Sequence, residues 1–361
     1  MSRSLRDFAR IEFAPPRYLS LPTAGIDISA SGVKMALLKE THHGLILDKF
    51  AEEPLPTGTI ENAEIADHAT LGKALATLVR RFSFGRANIT LSESRGYLFE
   101  TAVEGKDAAG WCTQVEQHLD EYIPLTSTEA VFDVVRFSEA AGERTQVIGV
   151  GYPRRVVENT IAAFEDAGVY VRAIEAETFA LPRALLKPND TDTVLIVDIG
   201  KASTKLLVAS RRLPRFATTV DVGGNEISAA AQKYFSVTEE ESKKIKAEVG
   251  LVGGPGKEEY QAEVLRTVSI IRDEIIRRLD YWQSRGPLMQ NHAPVTRIIV
   301  VGGNATVRGL PEFLSASLSM PVELGDVFIN LASKDEWLPP VDFTDSLAYG
   351  TAIGLALREY E

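Results

Sequence analysis

Asp27-Ile28-Ser29-Ala30-Ser31-Gly32-Val33-Lys34 returns in the second half of the chain as Asp198-Ile199-Gly200-Lys201-Ala202-Ser203-Thr204-Lys205, with Asp, Ile and Lys in register. Each copy sits between apolar runs. Ala24-Gly25-Ile26 leads into the first and Met35 to Leu38 leaves it, while Thr193 to Val197 leads into the second. Strand, small-residue turn, strand predicts a β-hairpin at the opening of each half. One such hairpin alone reads as a plain turn. Two in register point to a duplicated unit with a shared task.

Small residues at a strand turn let backbone N–H groups approach phosphate oxygens, and Ser or Thr hydroxyls add donors. The candidate phosphate contacts are therefore Asp27, Ser29, Ala30, Ser31 and Lys34 in the first hairpin. In the second they are Asp198, Gly200, Lys201, Ser203 and Thr204. Asp27 and Asp198 end their first strands, where a carboxylate can hold the waters of a Mg2+ ion bridging phosphates. A third element, Ile298-Ile299-Val300-Val301-Gly302-Gly303-Asn304-Ala305, is followed by Gly309-Leu310-Pro311. Paired glycines after a buried strand admit a flat adenine or ribose against the backbone, so Gly302, Gly303 and Asn304 join the candidates.

The rest of the composition sets bounds. At 361 residues, 45% hydrophobic and 25% charged, the chain predicts two domains or one bilobal fold with little disorder. A net charge of -11 argues against a nucleic-acid surface. Cys112 is the sole cysteine, so a disulfide framework or a Cys-based metal cage is excluded, and the scattered histidines have no metal-ligand spacing. No apolar run approaches the roughly 20 residues that span a bilayer. Residues 1–20, with Arg3, Arg6, Arg10 and Arg17 beside Leu5, Phe8 and Phe13, read as a flexible arm.

Helical spacing predicts helices over Asp67 to Phe82, Trp111 to Tyr122, Val156 to Ala167, Thr238 to Glu248 and about Glu259 to Arg285. In the last of these, Leu265, Val268, Ile271, Ile275, Leu279 and Trp282 form the expected core stripe. Ala130 to Arg136 and Gln146 to Val150 read as strands, and Lys187-Pro188-Asn189-Asp190 punctuates the chain before the second half.

The three elements, in this order, resemble those of the actin, Hsp70 and sugar kinase superfamily. Within it the sequence is similar to the PilM family of type IV pilus assembly proteins and to the cell-division family FtsA, from about Ala24 to Glu359. The segments that carry the likeness are His118 to Leu125, Ala167-Gly168-Val169 with Glu175 to Leu181, Val222 to Ser228, and Ser346 to Arg358. The resemblance implies an α/β, bilobal, actin-like or Hsp70-type (ribonuclease H-like) nucleotide-binding fold. It would comprise a first lobe over 21–86, an inserted SHS2-like subdomain over 87–186, and a second lobe over 187–361. The second lobe would carry a helical subdomain at about 225–292 and a last helix returning to the first lobe.

The same resemblance implies ATP and Mg2+ as ligands, with Gly223, Gly224 and Lys246 beside the nucleotide and Glu177 positioning a catalytic water. It implies a cytoplasmic scaffold, held peripherally at the inner membrane by the cytoplasmic tail of a PilN-like membrane protein. Other platform proteins and self-association into a ring are further implied contacts. An active ATPase or small-molecule kinase of the same fold is the alternative, and an FtsA-like filament protein the next. Two residues depart from the family pattern. Ser29 stands where glycine is usual, crowding close backbone approach, and Lys243 replaces a glutamate that would accept from ribose hydroxyls.

Overall fold

The computed structural model describes residues 22–105, 107–139, 144–285 and 292–361. The expected arm, 1–20, lies outside the described residues. Three strands open the first half: β1 (Thr23–Ser29), β2 (Gly32–Thr41) and β3 (Gly44–Pro54) form an antiparallel meander. A short ladder of β4 (Ile60–Glu61) and β5 (Glu64–Ile65) precedes helix α1 (His68–Phe82). Asp67 caps α1 by accepting from the Thr70 N–H, and Leu71, Ala74, Leu75 and Leu78 give it one buried face. The chain then returns as β6 (Arg86–Leu91), parallel to β1.

A second unit follows. Its strands β7 (Tyr97–Glu104), β8 (Ala130–Glu139) and β9 (Arg144–Pro153) form a three-stranded sheet in the order β7-β9-β8. Helices α2 (Ala108–Gln117) and α3 (Leu119–Tyr122) lie between β7 and β8, and Phe99, Trp111, Val115, Val134 and Val147 make a separate core. Helix α4 (Arg154–Asp166) leads back to β10 (Tyr170–Ala176), which pairs with β6 in parallel and completes the first sheet as β10-β6-β1-β2-β3.

Helix α5 (Glu177–Leu185) carries the chain to a second meander, β11 (Thr193–Ile199), β12 (Thr204–Ser210) and β13 (Leu213–Val220). Three helices, α6 (Gly224–Phe235), α7 (Glu239–Glu248) and α8 (Glu258–Ser284), precede β14 (Arg297–Val301). After α9 (Leu310–Leu318) come β15 (Val322–Leu324), the short α10 (Phe343–Ser346) and α11 (Gly350–Leu357). This sheet runs β13-β12-β11-β14-β15, with β14 parallel to β11 and β15 parallel to β14. Both five-stranded sheets therefore share one topology: a meander whose first strand is flanked by two further parallel strands. The sequence repeat is the local trace of this larger duplication.

Helix α11 closes the molecule against the first sheet. The buried Asn88 of β6 donates to the Leu355 carbonyl, 3.1 Å away. A Cβ on Gly25 of β1 would lie 2.0 Å from the Ala352 carbonyl oxygen, and one on Gly354 would lie 1.9 Å from that of Ala180 in α5. Backbone therefore meets backbone on two sides of α11. Elsewhere, the Arg215 side chain on β13 is fully buried, paired with Glu100 of β7 and stacked 4.1 Å over the Phe137 ring. It binds the three-stranded unit to the second sheet.

Several elements differ from their expected form. Within 87–186, β6 and β10 belong to the first sheet, and only 97–153 has a sheet of its own. His118 leaves helical geometry at φ -128° and divides α2 from α3. Leu265 is 43% exposed, whereas Val268, Ile271, Ile275 and Trp282 are buried: the inward face of α8 is narrower than the apolar stripe.

The α11 contacts set a test of packing. Gly25→Ala and Gly354→Ala each force a methyl into backbone and are expected to cost about 2–3 kcal/mol in urea unfolding. Gly72→Ala, in the middle of α1 with nothing within 4 Å of the new methyl, is expected to stabilise by about 0.5–1 kcal/mol. Equal effects at the three positions would refute the close approach.

Candidate functional site

The duplicated hairpins present the same cross-strand pair. Asp27 lies opposite Lys34 in the β1–β2 ladder, and Asp198 lies opposite Lys205 in the β11–β12 ladder. The first turn is Ala30-Ser31, closed by Ser29 opposite Gly32. In the second, the Gly200 N–H donates to the Ser203 carbonyl at 2.9 Å, leaving Lys201-Ala202 at the tip. Ser29 carries no strain, because it is absent from the left-handed residues and closes a regular ladder. Its hydroxyl donates to the Gly32 carbonyl at 3.2 Å and lies 3.0 Å from the Ser31 hydroxyl. Lys34 lies 3.8 Å from Glu52.

The second hairpin is the centre of a larger junction. Gly224 N–H donates to the Gly200 carbonyl at 3.0 Å, and Asn225 N–H to that of Lys201 at 2.8 Å. A Cβ on Gly223 would fall 2.7 Å from the Lys201 oxygen, so the loop before α6 lies flush on the turn. Gly302 follows β14 at φ +96°, and a Cβ there would sit 2.4 Å from an Asp198 carboxylate oxygen: glycine is required both by conformation and by space. Gly303, next along, has only the Ala348 methyl within reach, 3.7 Å from its would-be Cβ. Asn304 links all three parts. Its Nδ2 donates to the Gly200 carbonyl at 2.8 Å, its side chain fills the space over Gly224, and its Oδ1 accepts from Lys246 at 2.7 Å.

Some expected contacts point inward instead. The Thr204 hydroxyl donates to the Val222 carbonyl at 2.7 Å, inside the fold. Lys246, on α7, also donates to Ser228 on α6 at 2.9 Å. Lys201 reaches Glu239, the first residue of α7, at 2.5 Å. Lys243 is 68% exposed beside Glu240, so the departure from the family pattern lies at the surface.

Glu177 begins α5 at the edge of this junction. One carboxylate oxygen accepts from the Glu93 N–H at 2.9 Å and the other meets the Lys205 ammonium. Glu93 in turn accepts from the Thr219 hydroxyl at 2.8 Å. Burial pushes the Glu177 carboxyl up, Lys205 opposes this, and Asp27 adds to it. Burial likewise raises Asp198, against the pull of Lys205, with Asp27 raising it further, and raises Glu93 against the Thr219 bond. Burial draws Lys205 down, but Glu177, Asp198 and Asp27 outweigh it and hold the ammonium above its ordinary value. A cavity of about 20 Å3 between Glu93, Glu177, Asp198, Lys205 and Thr351 is large enough for one water.

Glu93 and Thr219 carried no sequence signal. Glu93 follows a buried strand in the turn Ser92-Glu93-Ser94-Arg95, and its partner is 84 residues away. The donor set fits a polyphosphate: two small-residue turns, with Lys34, Lys201 and Lys205 beside them. A divalent cation beside Asp27 and Asp198 would share the site with the Lys205 ammonium, which stands opposite Asp198 in the ladder and contacts Glu177. Among the described residues no group of three or more His, Cys, Asp or Glu side chains is arranged to hold a metal.

Lys246 gives the site a pH dependence. Burial, then repulsion from Lys243 and Lys201, holds it down to about 8 against an ordinary 10.5, with Glu239 acting in the opposite direction. The folded chain thus binds this proton less tightly than the unfolded chain. Charged Lys246 opposes folding below pH 8, and that opposition is withdrawn as pH rises from 8 towards 10.5. From urea melts between about pH 7 and pH 10, the stability difference between wild type and Lys246→Met should move in favour of wild type by about 2 kcal/mol. A flat difference would count against the buried ammonium.

A solved structure described as a PilM-PilN type IV pilus biogenesis complex is similar at a TM-score of 0.74 and 20% identity, covering 94% of this chain and 98% of that one. MreB5 of Spiroplasma citri, bound to ADP, is similar at a TM-score of 0.53 and 14% identity, covering 92% and 95%. The ethanolamine utilization protein EutJ from Carboxydothermus hydrogenoformans follows at 0.51 and 14%, covering 95% and 90%. These likenesses establish the actin-like bilobal α/β fold that the duplicated sheets describe. A family model for type IV pilus assembly protein PilM matches residues 25–360, and the chain belongs to that family.

Proposed function

We propose that this protein is a cytoplasmic scaffold of the type IV pilus inner-membrane platform, which binds the cytoplasmic tail of a PilN-like membrane protein and holds an adenine nucleotide between its two hairpins. The observation that carries this reading is the likeness along nearly the whole chain to a PilM found in complex with PilN. Among the described residues no helix is long and apolar enough to cross a membrane, which accords with attachment through a partner. Contacts with other platform proteins, and a ring of copies, extend the same reading.

The nucleotide acts as a ligand that sets the closure of the lobes, rather than as a substrate that is turned over. The Glu177 carboxylate, held by the Glu93 N–H and the Lys205 ammonium, is the group whose removal tests for turnover.

Two measurements test the proposal. Purified full-length chain is expected to retain a synthetic peptide of the PilN-like tail, and to gain stability with the logarithm of ATP excess, about 2.7 kcal/mol at a hundred times Kd. Phosphate release should stay at background with peptide present. Failure to retain the peptide removes the scaffold reading, and steady release that Glu177→Gln abolishes replaces the ligand by a substrate.

A further inference from the structure

Lys205 has the surroundings usually associated with a metal ion. It stands opposite Asp198 in the hairpin ladder, and its ammonium contacts Glu177. The charge of Asp27, from the other hairpin, acts on it as well. The side chain keeps 30% of its surface exposed, and an ammonium has three donors, so it can meet a further anionic oxygen while holding Glu177. Lys34 acts on Asp198 from the opposite hairpin, and Lys201 lies at the tip of the same turn as Lys205. Positive charge from side chains therefore already lines the phosphate turns where a divalent ion would supply it.

We infer that Lys205 takes the place of the divalent cation, so that the cleft binds nucleotide in a metal-free form. The inference rests on the nucleotide reading above and specifies its chemistry. A fixed ammonium, paired with Glu177 and opposite Asp198 in the ladder, stays in place when the ligand leaves. It also repels a magnesium ion brought in on the phosphates, so magnesium offers the bound nucleotide nothing that Lys205 has not already given. Lys205 acts here as a binding and positioning residue, and no step of bond making or breaking is assigned to it.

The test is equilibrium binding of ATP to the full chain by calorimetry, once with excess EDTA and once with excess MgCl2. Wild type is expected to bind with affinities within about threefold of each other in the two buffers. Lys205→Met should lose about tenfold or more in EDTA and recover part of that loss with magnesium, whereas Lys205→Arg, which keeps the charge, should bind in EDTA as wild type does. Wild-type binding that needs magnesium overturns the inference and leaves the nucleotide reading intact. Unchanged binding of Lys205→Met in EDTA also overturns it. Absence of binding in both buffers overturns the nucleotide reading and this inference together. The wild-type comparison decides the matter even where Lys205→Met fails to fold, which circular dichroism will reveal.

Discussion

Everything in this molecule depends on how closely α11 can approach its neighbours. Gly25 on one side and Gly354 on the other remove the side chains that would hold the helix off β1 and α5. Only with backbone against backbone can one short helix seal the first sheet and still touch α5, which starts with Glu177. That placement brings the two hairpins to a common cleft. Burial of Ala352, Ile353, Leu355 and Ala356 around the contact provides the apolar driving force, while the glycines set the distance over which it acts.

Within the cleft, the governing fact is a surplus of carboxylates in a place short of water. Asp27, Asp198, Glu177 and Glu93 converge from both lobes and from the turn that precedes the three-stranded unit. Burial raises Asp198, Glu177 and Glu93. Such a group of acids is costly unless cations or hydrogen-bond donors compensate it. The chain compensates from within, through Lys205 and through the Glu93 N–H and Thr219 hydroxyl.

The fold was readable in the sequence wherever chemistry and periodicity coincide. Asp27 with Lys34, and Asp198 with Lys205, are cross-strand partners, so their spacing encoded both the turn and the register. Other features were not readable, for specific reasons. The separate sheet over 97–153 is cut from a longer α/β stretch by which strands pair, and pairing of β6 with β1 and β10 leaves no mark in local hydrophobicity. The role of Glu93 rests on a bond across 84 residues. Ser29 looked like a departure because glycine is usual there, yet the backbone at that position does not need glycine's freedom. Lys246 and Thr204 were found beside the expected site, but their polar atoms serve the junction itself.

The bond between Arg215 and Glu100 has a mechanical meaning. With the guanidinium fully enclosed and stacked on Phe137, separating the pair would strand a charge in the interior, which typically costs about 3–5 kcal/mol. The three-stranded unit leaves the chain of the first half but is fastened to the sheet of the second. A pull on that unit is therefore delivered to β13 and, through Trp282 at 5.7 Å from Arg215, to the end of the long helix α8. Force applied at one appendage is shared by both halves.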